Sequence, residues 1–192
     1  MVKKIIDIID VDGVLANYNY GIARIAMKLY GVEVIDEPRY IPDWYYCSKT
    51  LGKEHFKAIW QEAINDPGFL ENLPALATAE ELSALNHLTS IHDVYFVTSR
   101  VAFNGKSATE RWLRMHGVYE PTVICSEEKG CIAKSLRADN LIEDSVDNIV
   151  DVLIQHAWTK VYLMEYPYNQ EAKKLAYRCV RSIQEFISGV LE

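Results

Sequence analysis

The feature that most constrains the fold is a short apolar run near the start of the sequence, where residues 4–15 read KIIDIIDVDGVL. The run is rich in β-branched residues and too short for a typical helix, so it is predicted to be a strand buried on both faces of a parallel sheet. Ligands bind at the carboxyl ends of such strands. Asp10 and Asp12 lie there, and two acids in a small space repel each other unless a cation or a proton lies between them. The motif therefore indicates Mg²⁺ chemistry, although the same residue types also form ordinary turns.

Four further apolar runs follow, and helical patterns separate them. The predicted strands cover residues 93–97, 122–125, 140–142 and 160–164. The predicted helices that follow these strands cover residues 107–116, 127–137, 147–156 and 170–187. Alternating strands and helices favour parallel crossover connections, so the predicted fold class is α/β with a doubly wound, Rossmann-like parallel sheet.

The segment between the first and second strands is too long for a simple crossover. It has helical patterns near both ends, and its middle, residues 32–52, is aperiodic and holds two prolines and four aromatic side chains. We therefore predict a small helical cap over residues 16–75. The core domain would then consist of residues 1–15 and 76–192.

Composition and charge narrow the class of partner. The 192 residues carry a formal net charge of -7, and no predicted face gathers lysine and arginine. Long nucleic acid needs a concentrated basic surface and is disfavoured, whereas a small anion held by a metal and one or two cations is compatible. No apolar run approaches the ~20 residues of a membrane span, and a signal peptide is not indicated.

The cysteines bear on location in the cell. Cys47, Cys125, Cys131 and Cys179 show neither a Cys-x-x-Cys pair nor the histidine spacing of a zinc site. They are predicted to be buried, reduced thiols, which is typical of a cytoplasmic protein. A homodimer is compatible with the sequence, which gives no direct sign of the oligomeric state.

Four polar clusters each lie just past an apolar strand. They are Asp10 with Asp12, Thr98 to Arg100, Lys129 at the start of a helix, and Glu143 with Asp144. Because the carboxyl ends of parallel strands line one edge of the sheet, clusters that are distant in sequence can meet there. Two acidic pairs, a hydroxyl group and a lysine suit a magnesium site for phosphate chemistry, since Mg²⁺ binds one or two carboxylates together with substrate phosphate.

These motifs resemble the haloacid dehalogenase superfamily of phosphohydrolases, and the resemblance covers nearly the whole chain. Its Asp-x-Asp-Gly motif after a hydrophobic strand is Asp10-Val11-Asp12-Gly13, and its strand ending in Thr or Ser is Val97-Thr98. A lysine and then Glu143-Asp144 complete the order of the four motifs.

The resemblance implies a role for each carboxylate. Asp10 would attack phosphorus and form an aspartyl-phosphate. Asp12 would protonate the leaving oxygen and later accept a proton from water. Dehalogenase chemistry has no use for this second aspartate, so Asp12 favours a phosphate substrate. Mg²⁺ would be held by Asp10, the backbone carbonyl of Asp12 and an acid of the Glu143-Asp144 pair. The fourth motif begins here with Glu where Asp is commoner, so the direct metal ligand of this pair stays open.

The resemblance also implies phosphate-binding residues, which are Thr98, Ser99 and a lysine. Both Lys129 and Lys134 precede the acidic pair. We favour Lys129 because it opens a helix, where its ammonium group and the helix N-terminus would act on the same anion.

The cap resembles that of the 5′(3′)-deoxyribonucleotidases, which implies hydrolysis of a deoxynucleoside monophosphate. The matching pieces are Asp12-Gly13-Val14-Leu15-Ala16, Pro67-Gly68-Phe69 ahead of Leu73-Pro74, Val97-Thr98-Ser99-Arg100 with Trp112, and Pro167-Tyr168-Asn169. Trp44, Tyr45 and Tyr46 lie in a proline-flanked loop and could stack on a nucleobase, each stack being worth ~1–3 kcal/mol. Arg100 could contact the phosphate or the base, or it could only pair with a surface acid.

Three alternatives remain at this point. A phosphatase for a small metabolite such as a sugar phosphate would call for polar rather than aromatic cap contacts. A polynucleotide 3′-phosphatase is disfavoured by the acidic balance. A non-enzymatic phosphate-binding protein on the same fold leaves the complete set of catalytic residue types unexplained.

Overall fold

Residues 4–101 and 104–192, which the computed structural model describes, form one six-stranded sheet flanked by helices. The strands are β1 (Ile6–Ile9), β2 (Asp93–Thr98), β3 (Val123–Cys125), β4 (Asn140–Glu143), β5 (Lys160–Met164) and β6 (Arg178–Val180). Their order across the sheet is β3-β2-β1-β4-β5-β6, and all neighbouring pairs are parallel. This doubly wound arrangement confirms the predicted α/β class. The direction of winding reverses between β1 and β4, the point at which such sheets bind ligands.

The helices cover both faces of the sheet. They are α1 (Tyr18–Tyr30), α2 (Tyr46–Leu51), α3 (Lys53–Asn65), α4 (Ala79–Ile91), α5 (Gly105–Met115), α6 (Lys129–Leu136), α7 (Val146–Gln155) and α8 (Ile183–Leu191). Side chains alternate between the faces of a strand, so Ile8 belongs to an apolar cluster with α6 and α7, and Ile9 to one with α4, α5 and α8. Among the described residues, no helix is both long and apolar enough to span a membrane.

The predicted cap segment leaves the sheet and returns to it at adjacent points. Ala16 and Ala75 form an antiparallel bridge. On either side of that bridge, the amide of Asn17 donates to Pro74 O at 2.9 Å and the amide of Leu76 donates to Leu15 O at 2.7 Å. Between these crossing points lie α1, a 3₁₀ helix (Pro38–Tyr40), α2 and α3. The aperiodic stretch thus contains two short helices, and the division into two domains stays a prediction.

Two features of the sequence-based prediction are wrong. The predicted last helix over residues 170–187 is instead a 3₁₀ helix (Pro167–Lys174), then β6, then α8. β6 pairs with the edge of β5, and such tertiary pairing overrides a local helical pattern. The cysteines form no disulfide, but they are not buried as predicted, because Cys131 is exposed and the other three are half-buried.

Candidate active site

Three buried carboxylates meet at the carboxyl ends of β1 and β4. Asp10, Glu143 and Asp144 each offer an oxygen atom, and these atoms all lie within 4.8 Å of one another. The two strands are hydrogen-bonded neighbours, and the amide of Asp10 still donates to Ile142 O at 3.1 Å just beyond β1. The reversal point of the sheet therefore brings together acids that are more than 130 positions apart in sequence.

One buried lysine joins two of these acids. Lys129 Nζ lies 2.6 Å from Asp10 Oδ1 and 2.6 Å from Glu143 Oε2. The first turn of α6 carries this lysine, and the next amide, that of Gly130, donates to Asp151 Oδ2 of α7 at 2.6 Å. A Cβ at Gly130 would lie 2.6 Å from the Asp151 carbonyl oxygen, so only glycine permits this approach. Lys134 is exposed, whereas Lys129 reaches the acids, and the role of Lys129 in phosphate binding stays a prediction.

The carboxylates have unequal environments. Burial and the neighbouring Glu143 carboxylate raise the pKa of Asp10 well above its ordinary value. The same two causes raise the pKa of Asp144 to about 8. Burial also acts to raise the pKa of Glu143, but its ion pair with Lys129 and a hydrogen bond from the Ser145 amide outweigh it and lower that pKa. Lys129 thus pairs with both Glu143 and Asp10, and its single positive charge does not balance the three acids when all of them are ionised.

This charge balance fits a divalent cation. With Asp12, four carboxylates line the edge and face two cations, Lys129 and Arg100, so the ionised cluster has an excess of two negative charges. Hard carboxylate oxygens are the ligands that Mg²⁺ prefers. The donor set of Asp10, Glu143 and Asp144 therefore fits Mg²⁺ in both chemistry and charge.

Asp12 is held by an arginine rather than by the lysine. Arg100 Nε lies 2.8 Å from Asp12 Oδ2 and Nη2 lies 2.6 Å from Oδ1, which is a bidentate pair. The remaining guanidinium nitrogen Nη1 donates to Thr109 Oγ1 of α5 at 3.0 Å. Thr98 Oγ1, at the end of β2, lies 3.4 Å from Asp12 Oδ2, and Ser99 is exposed next to it. The structure therefore places Arg100 on Asp12, and its substrate contact stays a prediction.

A glycine allows the first motif to approach the fourth. Gly13 has φ +82°, a conformation that side-chain-bearing residues rarely adopt. A Cβ at this position would lie only 2.2 Å from Asp144 Oδ2. The Asp-x-Asp-Gly pattern thus requires its glycine both for the turn and for contact with the acidic pair.

The three aromatic residues singled out in the cap do not act as one group. The Trp44 ring packs edge-on against Tyr168 with 5.5 Å between centroids, and Tyr45 is 63% exposed. Tyr46 accepts a hydrogen bond from the Ile35 amide at 3.3 Å and lines a separate cavity of about 420 Å³ beside α1. Only Trp44 of the three therefore contacts a residue that touches the acidic cluster.

Four residues near the acids were given no catalytic or metal-binding role in the sequence-based prediction of the site. Tyr18 opens α1 and packs against Phe69 at 5.3 Å, and its pKa is raised by burial and, to a smaller extent, by the Asp12 charge. Tyr166, Tyr168 and Asn169 follow β5 and reach Gly13 and Asp144. The rule that polar residues after a parallel strand line the site would have found these three.

Comparison with known proteins identifies relatives of the sequence and of the fold. A family model described as 5′ nucleotidase, deoxy (pyrimidine), cytosolic type C protein matches residues 3–188. A search of curated protein sequences found no match. Solved structures of haloacid dehalogenase-like proteins superpose over nearly the full chain.

Three of these structures illustrate the likeness. A haloacid dehalogenase-like family hydrolase from Streptococcus pneumoniae gives a TM-score of 0.67 at 12% identity, covering 99% of this chain and 100% of that one. YfnB from Bacillus subtilis, described as a HAD-hydrolase and bound to magnesium, gives 0.63 at 15% identity, covering 99% and 100%. A Lactobacillus plantarum protein described as a phosphoglycolate phosphatase gives 0.58 at 14% identity, covering 97% and 99%. At these identities the likeness establishes the fold alone.

Proposed function

Because the chain belongs to the family of cytosolic type C deoxy-5′-nucleotidases, we propose that it hydrolyses deoxynucleoside monophosphates with Mg²⁺ through an aspartyl-phosphate. Family and fold make the chain a phosphomonoester hydrolase of the haloacid dehalogenase superfamily. The metal, the covalent intermediate and the substrate are the proposal. The observation that carries it is the buried cluster of Asp10, Glu143 and Asp144 with Lys129 between two of its members.

The proposed first step transfers the phosphoryl group to Asp10. A carboxylate oxygen of Asp10 attacks phosphorus, the bond from phosphorus to the ester oxygen breaks, and protonated Asp12 gives its proton to the leaving oxygen. Lys129 and the Thr98 hydroxyl bind the phosphoryl oxygens, where charge is spread in the transition state. Lys129 suits this role because it is buried and already lies 2.6 Å from the nucleophile.

The proposed second step regenerates the enzyme. Asp12 takes a proton from a water molecule, whose oxygen attacks phosphorus and releases inorganic phosphate from Asp10. Arg100 supports this role because its bidentate contact fixes the Asp12 carboxylate in one orientation. When Asp12 gives its proton to the leaving oxygen, it must give up part of its contact with Arg100.

For the metal, we propose Asp10, the backbone carbonyl of Asp12 and Asp144 as ligands. Asp144 is favoured over Glu143 because both oxygens of Glu143 are engaged, Oε2 by Lys129 and Oε1 by the amides of Asp144 and Ser145. Bound Mg²⁺ would offset the repulsion between the nucleophile and the phosphate.

Aromatic cap residues support a nucleotide substrate. Tyr18 packs with Trp60 at 5.7 Å, and Trp44 packs edge-on against Tyr168 with 52% of its surface exposed. An exposed aromatic ring such as that of Trp44 suits a flat base, because base stacking is worth ~1–3 kcal/mol for each ring.

A phosphatase for a small metabolite, such as a sugar phosphate, is the second candidate. It is favoured by the separation of Tyr46 from Trp44 and by the likeness to a fold relative described as a phosphoglycolate phosphatase. This candidate keeps the same catalytic residues and changes only what the cap binds.

Phosphate release from a panel of deoxynucleoside monophosphates and sugar phosphates tests the proposal. We expect Mg²⁺-dependent turnover, highest kcat/KM for a deoxynucleotide, and loss of at least about 10³-fold in Asp10→Asn. Asp147→Asn is the matched control, since Asp147 is an exposed residue in the first turn of α7. Mass spectrometry of quenched turnover should find the phosphoryl group on the peptide that holds Asp10.

Each part of the proposal has its own contrary result. Full activity of Asp10→Asn would exclude it as nucleophile. Turnover that is independent of divalent cations would exclude the metal. A preference for a sugar phosphate would replace the nucleotide with the second candidate.

A further inference from the structure

The segment that follows β5 ties two loops of the active site together. The Tyr166 hydroxyl donates to Gly13 O at 2.9 Å, in the loop after β1. Asn169 Nδ2 donates to Asp144 O at 2.8 Å, in the loop after β4. The Asn169 side chain also accepts from the Tyr166 amide at 2.9 Å and donates to Met164 O at 2.8 Å. These bonds fix the backbone of both loops without touching the carboxylate of Asp144.

The carboxylate itself is held by the remaining tyrosine. The Tyr168 hydroxyl donates to Asp144 Oδ2 at 2.6 Å, and both residues are buried. When Asp144 is ionised, as a metal ligand would be, this hydrogen bond is roughly twice as strong as one between neutral groups. Tyr168 thus selects one orientation of Asp144 and leaves its other oxygen for a further ligand.

A cap residue lies against the same tyrosine. The Trp44 ring meets the Tyr168 ring edge to face, with centroids 5.5 Å apart and an interplanar angle of 64°. Tyr168 also stacks with Tyr166, with centroids 5.2 Å apart and an interplanar angle of 26°. The Tyr168 ring therefore packs against both the cap and its own loop segment, and its hydroxyl donates to Asp144.

We propose that Tyr168 is a positioning residue that orients Asp144 for Mg²⁺, and that Trp44 makes this orientation depend on the cap. The proposal rests on the proposed function, because it takes Asp144 as a metal ligand. Residues that orient metal ligands in this way commonly change metal affinity about 10- to 100-fold when they are altered. Coupling between two sites is reciprocal, so contacts that order Trp44 would also tighten Mg²⁺ binding.

Mg²⁺ binding to the substrate-free protein, measured by isothermal titration calorimetry, tests the role of Tyr168. We expect Tyr168→Phe to weaken Mg²⁺ affinity about 10-fold or more, because the ring and its packing remain while the hydroxyl is lost. Tyr162→Phe is the matched control. Tyr162 is also buried, but its hydroxyl donates to Gly189 O at 2.9 Å, away from the acids. Equal Mg²⁺ affinities of the two variants would overturn the positioning role.

The cap contact is tested by a second pair of variants that leaves Tyr168 intact. We expect Trp44→Leu to weaken Mg²⁺ affinity about 2- to 10-fold, the worth of an aromatic pair, and Trp44→Phe to restore most of it. Tyr45→Leu, the adjacent and more exposed cap residue, should leave the affinity unchanged. Equal affinities of Trp44→Leu and the wild type would overturn the link to the cap.

The substrate-free measurement separates this inference from the proposed function. Trp44 is also a candidate base contact, so its effect on KM alone would not distinguish the two roles. If the wild-type protein binds Mg²⁺ and releases phosphate while Tyr168→Phe matches Tyr162→Phe, only the inference is wrong. If the wild-type protein does not bind Mg²⁺, both the metal proposal and the inference are wrong.

Discussion

Two buried aspartates three residues apart in the β1 region have opposite surroundings. Asp7, within β1, is fully buried and has a donor for each oxygen, with Asn140 Nδ2 at 2.7 Å from Oδ1 and His92 Nδ1 at 2.6 Å from Oδ2. Asp10, just beyond the strand, shares a single lysine with Glu143 and lies among other carboxylates.

Asp7 therefore stabilises the fold, whereas the acids at the carboxyl end of β1 carry more negative charge than the neighbouring cations balance. Burial raises the pKa of Asp7, but the hydrogen bonds from Asn140 and His92 counteract this. At the carboxyl end, burial and like charges act in the same direction on Asp10 and Asp144. A cluster that lacks positive charge is costly in the folded protein alone and becomes favourable only with a cation.

The largest expected effect concerns the lysine of the acidic cluster. Lys129→Met should lower the free energy of unfolding by about 3–5 kcal/mol, because it leaves buried charges without a partner. Denaturant unfolding at neutral pH measures this. Lys134→Met, on the exposed face of the same helix, should change it by no more than about 0.5 kcal/mol. Similar losses in both variants would show that the acids are balanced by other means.

Addition of Mg²⁺ should raise the stability of the protein through the acids at the carboxyl end of β1 alone. At about 100 times the dissociation constant, bound Mg²⁺ should stabilise the fold by about 2.7 kcal/mol. Thermal unfolding should show this gain in the wild type and in Asp7→Ala, and not in Asp144→Asn. Loss of the gain in Asp7→Ala would mean that the two ends of β1 are not independent.

At the amino end of the strand, the acid itself should matter for folding. Asp7→Ala should lower the free energy of unfolding by about 2 kcal/mol, because His92 and Asn140 lose their acceptor, and leave kcat unchanged. Asp93→Ala is the control, since its ion pair with Lys4 is exposed. A fall in kcat that matches that of an active-site variant would contradict a purely structural role for Asp7.

The smallest expected effect is a dependence of stability on pH without Mg²⁺. The pKa of Asp144 is raised in the folded state to about 8, so the folded protein binds this proton more tightly than the unfolded chain does. The contribution of Asp144 to stability is then complete below about pH 4 and is lost as the pH rises toward 8, by about 1 kcal/mol between pH 7 and 8. Urea unfolding of metal-free protein measures the slope. Asp144→Asn should reduce it, and an unchanged slope would assign the titration to another group.

Strands β1 to β5 were predictable because each is an apolar run of suitable length. β5 was predicted with its observed bounds, and β2 and β4 within one residue. β6 was missed because its three residues become a strand only by pairing with the edge of β5. The sheet order follows from tertiary packing, whereas the meeting of Asp10 with Glu143 and Asp144 followed from the general rule about strand ends.

The sequence predicted the candidate catalytic and metal-binding residues better than the residues that orient them. The residues placed together at the strand ends include Asp10, Lys129 and Asp144. The pairing of Arg100 with Asp12 depends on α5, where a Cβ at Gly105 would lie 1.8 Å from the Arg100 carbonyl oxygen, a constraint that no local pattern reveals. The bond from Tyr168 to Asp144 likewise joins segments with unrelated local patterns.

The antiparallel bridge between Ala16 and Ala75 has a consequence for how the cap of such a protein could change in evolution. Because the inserted segment begins and ends at one bridge, a few residues could close the gap if the whole insertion were removed. We expect the predicted cap to act as a module on these two backbone segments, so that a module of another length or shape could replace it without moving β1 or α4. Selectivity for the leaving group and chemistry at phosphorus could therefore evolve separately in one polypeptide.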